Sequence, residues 1–478
     1  MICPSHKTPT VTKLTGKEKL VPAFLSVKGL VKLHIDSFNH FIETEIKNIV
    51  QANNRVSVPE ANWWLQYNNV YVKPPTVNDG SVVASRVSPH DCRLRDLTYA
   101  GEILVDITFT RQHEIVSKKG VLIGRMPLML KSSACVLHGK SPSELMKLKE
   151  CPHDPGGYFI INGSEKVILM QEQMSKNRIL VEGDTSKGLI CSVTSSSAQT
   201  KSKTNILLKD GRFFLQHNSF TVDVPIVILF KAMGITADKE ILQYVGREQS
   251  IWAKVVPSLK QCIDAKIHTV QDACRWLQSK LRQPRFRPSR STGKTSSDIT
   301  DRDVQVDIQR MLRDIVITHI PMERMNFSLR ALFLGQMVRY LILLADGKIP
   351  PDDRDFYGNK RIELGGSLLA LLFEDVFKTF NEDLWLTVSK LDTKRRVAPF
   401  DISRHIKTWL ITEQLNRAIS SGNWIIKRFR MMRQGVTQLV SRLSYVAALG
   451  HMTRMTSQFE KTRKVSVLIA LHTRKERT

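Results

Sequence analysis

Val31, Ile35, Phe38, Phe41, Ile42, Ile46 and Ile49 recur at helical spacing, so one face of a long helix is apolar and has to be covered by another element. The covering surface must come from elsewhere in the chain. Ile103, Val105, Ile107 and Phe109 alternate with Leu104, Asp106 and Thr108, which is the period of a strand with one buried face. Residues 158–161, the pair Asn162-Gly163 and residues 166–170 read as two strands joined at a turn whose Gly tolerates positive φ. Both periods in one stretch predict an α+β fold of mixed sheets and long helices.

A chain of 478 residues with 42% hydrophobic content is long enough for several domains with cores of their own. The first eighteen or so residues carry no pattern, and ordered structure is expected to begin near Val31. From 183 to 204 the composition shifts to Ser, Thr, Lys and Gly. Strand-like runs at 212–216 and 222–230 then lead into helical stretches at 238–245 and 270–281, which suggests a second domain. Residues 283–298 are rich in Arg, Pro, Ser and Gly and are expected to form a mobile basic loop, too poor in apolar residues to order itself. Helices are predicted at 329–344, 368–388, 402–419 and 437–449.

Charge narrows the function. Lys and Arg number 71 against 45 Asp and Glu, a net +26, and such a field attracts polyanions, nucleic acid first among them. Residues 420–478 hold twelve basic residues against two acidic ones. The uninterrupted apolar runs, 224–230 and 368–373, are far shorter than the ~20 residues that cross a bilayer, so no membrane partner is expected. Residues 1–19 lack the apolar core of a secretory signal, and the seven cysteines are scattered. A reducing compartment and an absence of disulfides are therefore expected.

The chemistry-bearing motifs are weak. Gly293-Lys294-Thr295 resembles the end of a phosphate loop, but Pro288 stands where that loop needs a Gly. Asp352, Asp353 and Asp355 could hold Mg²⁺, yet Arg354, Lys360 and Arg361 are interleaved with them and internal ion pairing costs less. Glu374 and Asp375 are adjacent on a helix and diverge by about 100°. Cys151 and His153 lack the second pair that a zinc site needs. No nucleophile elbow or catalytic cysteine signature is present.

Longer blocks are more informative. Gly156-Gly157-Tyr158-Phe159-Ile160-Ile161-Asn162-Gly163-Ser164-Glu165-Lys166-Val167, followed by Gln171-Glu172-Gln173-Met174-Ser175-Lys176-Asn177-Arg178, resembles the signature of the second-largest subunit of multisubunit RNA polymerases. Asp352-Asp353-Arg354-Asp355-Phe356-Tyr357-Gly358-Asn359-Lys360-Arg361-Ile362-Glu363-Leu364 and Gly422-Asn423-Trp424 resemble two more of its blocks. The wording of Ile123-Gly124-Arg125-Met126-Pro127 and Arg433-Gln434-Gly435-Val436-Thr437-Gln438 is most similar to the eukaryotic RNA polymerase III form.

The resemblance implies that residues 20–178 and 347–412 form the protrusion, 179–346 the lobe and 413–466 the fork, after a disordered tail at 1–19. Residues 467–478 match nothing in the family, which reads as truncation after the fork. By position in the family, Arg433, Gln438 and Arg442 would face RNA or template, with Lys427 and Arg428 on a neighbouring loop and Arg454 towards downstream DNA. Arginine grips phosphate bidentately and Gln bonds sugar or base, which suits these places. The resemblance implies no cofactor held here, since Mg²⁺ in the whole enzyme is held mainly by the largest subunit and the zinc site lies in the missing C-terminal part. The implied partners are the largest subunit and other RNA polymerase III subunits, template DNA, the RNA–DNA hybrid and a lobe-bound subcomplex related to an initiation factor. The implied location is the nucleus, and the implied activity is nucleotidyl transfer by the assembly rather than by this chain alone. A free-standing basic nucleic-acid-binding protein and a non-functional product of a truncated gene are the alternatives.

Overall fold

The structure is a computed structural model and describes residues 16–27, 29–58, 63–77, 85–111, 114–184, 188–197, 200–282, 301–323, 325–393, 405–427 and 431–457. The expected basic loop 283–298, Arg428 and the tail 467–478 lie outside these residues. The chain is α+β and divides into two compact units, one made of residues 1–173 with 362–478 and the other of residues 174–361.

In the first unit the helical stripe forms as predicted, with one refinement. Helices Lys32–His40 and Ile46–Ala52 are joined by a π-helical turn, Phe41–Glu45. A single 3-10 turn at Lys17–Leu20 and a helix at Val21–Val27 come before it, so regular structure starts earlier than Val31. Seven residues are too few to display a period. Phe38, Phe41 and Ile46 are fully buried.

Lys32–His40 and the π-helical turn pack on the helix Gly365–Thr393, while the helix Ile46–Ala52 packs on an antiparallel sheet in the order Arg55–Val58, Trp63–Val77, Ala100–Arg111, Glu114–Pro127. Ile103, Val105, Ile107 and Phe109 are buried on it as the alternation requires. The helices Gly365–Thr393 and Thr408–Ser421 complete the unit. Close approach explains two glycines: a Cβ on Gly366 would collide with the Ser37 carbonyl, and one on Gly124 would lie 2.8 Å from Ile411 Cβ. Phe373 stacks on Phe377 with ring centres 5.8 Å apart and meets Phe41 edge-on at 6.3 Å, fastening the long helix to the π-helical turn.

Among the described residues, the second unit is a five-stranded antiparallel meander with six α-helices. Its strands run in the order Val224–Pro225, Arg212–Gln216, Lys201–Lys209, Gly188–Ser196, Ile179–Asp184. The expected strand at 222–230 is instead two strand residues followed by the helix Ile226–Ala232. Every residue of that helix is buried, so no polar face reveals a helical period. Residues 347–361, assigned from sequence to the other domain, fall within this unit. The physical tie is a pair of hydrogen bonds between Asp352 and Val181, 2.7 and 3.0 Å long, with Arg354 paired to Glu182.

One helix, Ser328–Ala345, is long and apolar enough to cross a membrane by length and composition, which a count of unbroken apolar runs overlooked. Ala331, Leu334, Met337, Val338, Leu341 and Ile342 are buried in the core of the second unit. The buried Arg330 guanidinium donates to the carbonyls of Arg313, Val316 and Ile320 at 2.6, 2.9 and 3.1 Å. This is the packing of a core helix.

Candidate nucleic-acid interface

The strands Phe159–Ile161 and Ser164–Ile168 form the predicted hairpin, with both turn residues at positive φ, Asn162 at 48° and Gly163 at 71°. That is the geometry of a two-residue hairpin turn matched to strand twist. A third strand, Thr437–Leu439, pairs antiparallel with Ser164–Ile168 and sets Gln438 opposite Val167. The expected helix at 437–449 is thus a strand followed by the helix Tyr445–Met452. The free edge of Ser164–Ile168 supplies the backbone partners that win over local helical preference. Met455–Ser457 runs parallel to Met170, Gln171 and Glu172. The basic segment is therefore built onto the same strands that carry the recognisable block.

Three of the five described candidates are tied down by their side chains. Arg442 donates to Glu165 Oε2 at 2.6 Å and to Asp154 Oδ2 at 3.1 Å, and its guanidinium lies 5.0 Å from the centre of the Tyr158 ring. Arg433 donates to Glu363 Oε2 at 3.0 Å in a pair that is almost buried, 9% and 13% exposed. Gln438 Oε1 is 3.0 Å from His451 Nε2. Lys427 and Arg454 are exposed. The backbone N–H of Lys427 donates to Asp375 Oδ2 at 3.2 Å.

Beneath Arg442 lies a network that sequence reading did not single out. Arg93 donates to Glu165 Oε1 at 2.8 Å, to both oxygens of Glu150 at 2.8 and 3.0 Å, and to the Tyr158 hydroxyl at 2.8 Å. That hydroxyl donates to Asp154 Oδ2 at 2.6 Å. Two guanidiniums and three carboxylates thus surround one phenol. Burial is the largest cause raising the Tyr158 phenol above its usual range, with the Asp154 and Glu165 charges adding to it. The hydrogen bond to Glu165 and the neighbouring negative charges hold Arg442 firmly protonated against the desolvation it suffers. Tyr158 and Glu165 stand inside the quoted block, so the signal was present there. Arg93, Glu150 and His451 carried none.

Metal chemistry finds no support in these side chains. Among the described residues no cluster of three or more His, Cys, Asp or Glu could hold an ion. Asp352 accepts from the Val181 N–H, Asp353 from the Asp355 N–H at 2.8 Å, and Asp355 pairs with Lys360 at 3.2 Å. Glu374 pairs with Lys378 at 2.9 Å one helical turn on. The acidic groups that the sequence offered for Mg²⁺ are thus engaged in pairs and turns within the protein.

Comparison with known proteins bears on what such a surface serves. The profile of the family described as RNA polymerase beta subunit matches residues 29–413. DNA-directed RNA polymerase III subunit RPC2 of Drosophila melanogaster is 48% identical over 457 residues, covering 95% of this chain and 39% of the fly protein. The protein of the same name from Saccharomyces cerevisiae is 44% identical over 465 residues, with 96% and 39% covered. DNA-directed RNA polymerase subunit Rpo2 of Saccharolobus solfataricus is 29% identical over 447 residues, with 93% and 38% covered. The chain spans about two fifths of the length of these relatives.

Proposed function

Because the chain belongs to the RNA polymerase beta subunit family, we propose that it serves as the protrusion, lobe and fork portion of an RNA polymerase III second-largest subunit. There it lines the DNA cleft during transcription of transfer RNA, 5S RNA and other small RNAs in the nucleus. Residues 20–173 and 362–412 are the protrusion, 174–361 the lobe and 413–466 the fork, with the lobe bounds moved from the sequence-based 179–346 to those of the second compact unit. Its partners are the largest subunit and other polymerase subunits, the template, the RNA–DNA hybrid and, on the lobe, an initiation-factor-like subcomplex. The chain is a component of a nucleotidyltransferase whose activity belongs to the assembly, a reading supported by the lack, among the described residues, of any cluster of three or more His, Cys, Asp or Glu that could hold an ion.

The observation that carries this reading is the pairing of Thr437–Leu439 with Ser164–Ile168. It sets Gln438 beside the hairpin, and Arg442, three residues beyond the strand, reaches Glu165 and Asp154 and stays 42% exposed although it makes two ion pairs. A guanidinium has five N–H donors, so a carboxylate-held arginine still has donors for phosphate. Lys427, Arg428, Arg433 and Arg454 add positive charge along the same segment.

The test is binding of the purified full chain to a fluorescent RNA–DNA hybrid across a salt series. Affinity should fall steeply with salt, and Arg442→Ala should weaken binding and reduce the salt slope by about one. Salt-independent binding, or an unchanged slope for Arg442→Ala, would overturn the assignment. Co-purification with the largest subunit from cells separates it from a free-standing binding protein, which would not be retained.

A further inference from the structure

We infer that His451 is a positioning residue whose imidazole holds the Gln438 side-chain amide with its NH₂ group turned outward, as a hydrogen-bond donor to nucleic acid. This rests on the nucleic-acid-facing reading of Gln438 given above. His451 is 8% exposed, in the last turn of the helix Tyr445–Met452. Its Nδ1 lies 3.3 Å from the backbone nitrogen of Ser441, a group that can only donate. Nδ1 must therefore carry a lone pair, which leaves the neutral ring with its proton on Nε2. Nε2 then donates across 3.0 Å to Gln438, which can accept only through Oε1.

The orientation of an amide is otherwise a weak choice between two similar shapes, and here the imidazole makes it. Burial lowers the His451 pKa and so favours the neutral ring, and the nearby Arg454 charge acts in the same direction. The helix end carrying His451 is itself anchored, because His34 Nε2 on the helix Lys32–His40 meets the Met452 carbonyl at 2.9 Å. Gln438 is half-buried, and among the described residues its amide nitrogen has no protein acceptor. Held this way, Gln438 offers N–H groups to phosphate, sugar or base acceptors. Flipped, it would present a carbonyl dipole that repels phosphate.

The experiment is a double-mutant cycle on the full chain, with RNA–DNA hybrid affinity read by anisotropy. Gln438→Ala should cost about three- to ten-fold, the loss of one hydrogen bond. His451→Phe, which keeps a ring but neither contact, should cost a similar factor. His451→Gln, which can accept from Ser441 and donate to Gln438, should recover binding to within about two-fold. In the Gln438→Ala background, His451→Phe should cost nothing more. No loss in Gln438→Ala would overturn the nucleic-acid-facing reading itself. A loss there with His451→Phe unchanged, or with additive losses in the double variant, would overturn the positioning role alone. In the unmutated chain, ¹⁵N-histidine spectra should show His451 as the Nε2–H tautomer, and the Nδ1–H form would overturn the inference whatever the affinities.

Discussion

The guanidinium of Arg442 lies 5.0 Å from the centre of the Tyr158 ring, and both side chains meet on one oxygen, Asp154 Oδ2. An exposed arginine is thereby joined to a buried phenol, and through it to Arg93 and Glu150. Removing members of this network should cost stability in proportion to their burial.

Glu165→Ala strips a carboxylate from Arg93 and Arg442 at once and should cost roughly 3 kcal/mol, as when one partner of a buried pair is lost. Tyr158→Phe should cost about 1–3 kcal/mol, because Arg93 loses an acceptor and Asp154 a donor. Arg442→Ala, at 42% exposure, should cost about 1 kcal/mol or less. Denaturant midpoints of the three variants check the order, and a larger loss for Arg442→Ala than for Glu165→Ala would refute it.

In the second unit, Arg330→Met should be severely destabilising, by about 3–5 kcal/mol, since three carbonyls lose their donor inside the core. Arg330→Lys should recover only part of this, because an ammonium cannot reproduce the planar fork. Thermal unfolding of the two variants would show it. Equal melting temperatures for wild type and Arg330→Met would mean that water takes over the carbonyls.

Acid should weaken the second unit through His217. Burial lowers this imidazole to about 4; Nδ1 accepts the Ser219 N–H at 3.1 Å and Nε2 meets the Ser202 hydroxyl at 2.9 Å. The unfolded chain binds a proton near pH 6.5 that the folded chain refuses. The contribution is therefore complete above about 6.5 and lost as pH falls towards 4, up to roughly 3 kcal/mol. Denaturant midpoints at pH 7 and pH 5 should differ less in His217→Gln than in wild type; the same difference in both would exclude His217 as the source.

Two glycines on helices of the first unit should respond in opposite directions to the same change. Gly366→Ala drives a methyl into the Ser37 backbone and should cost about 2 kcal/mol or more. Gly450→Ala, in the helix Tyr445–Met452 with nothing within 4 Å, should stabilise by about 0.5–1 kcal/mol. Matching signs in melting temperature would show that the packing around one of them is different.

The sequence alone determined the elements whose faces differ. The stripe from Val31 to Ile49, the alternation from Ile103 to Phe109 and the Asn162-Gly163 turn each carry their pattern within a few residues, and each stands in the fold, the stripe with a π-helical turn at its middle. Local pattern failed where burial is uniform, as in Ile226–Ala232, because a helix without a polar face has no period to display. It failed again at Thr437–Leu439, whose strand state depends on an edge some 270 residues earlier in the chain. The basic candidates were legible as charge and as resemblance. That Arg442 rests on Tyr158, that Arg433 is paired with Glu363 and that His451 fixes Gln438 was not legible, because those contacts join residues whose order in the chain says nothing of their distance. Only the tertiary structure decides such pairs, since hydrogen bonds and ion pairs depend on ångström-scale geometry whereas periodicity depends only on neighbours in sequence.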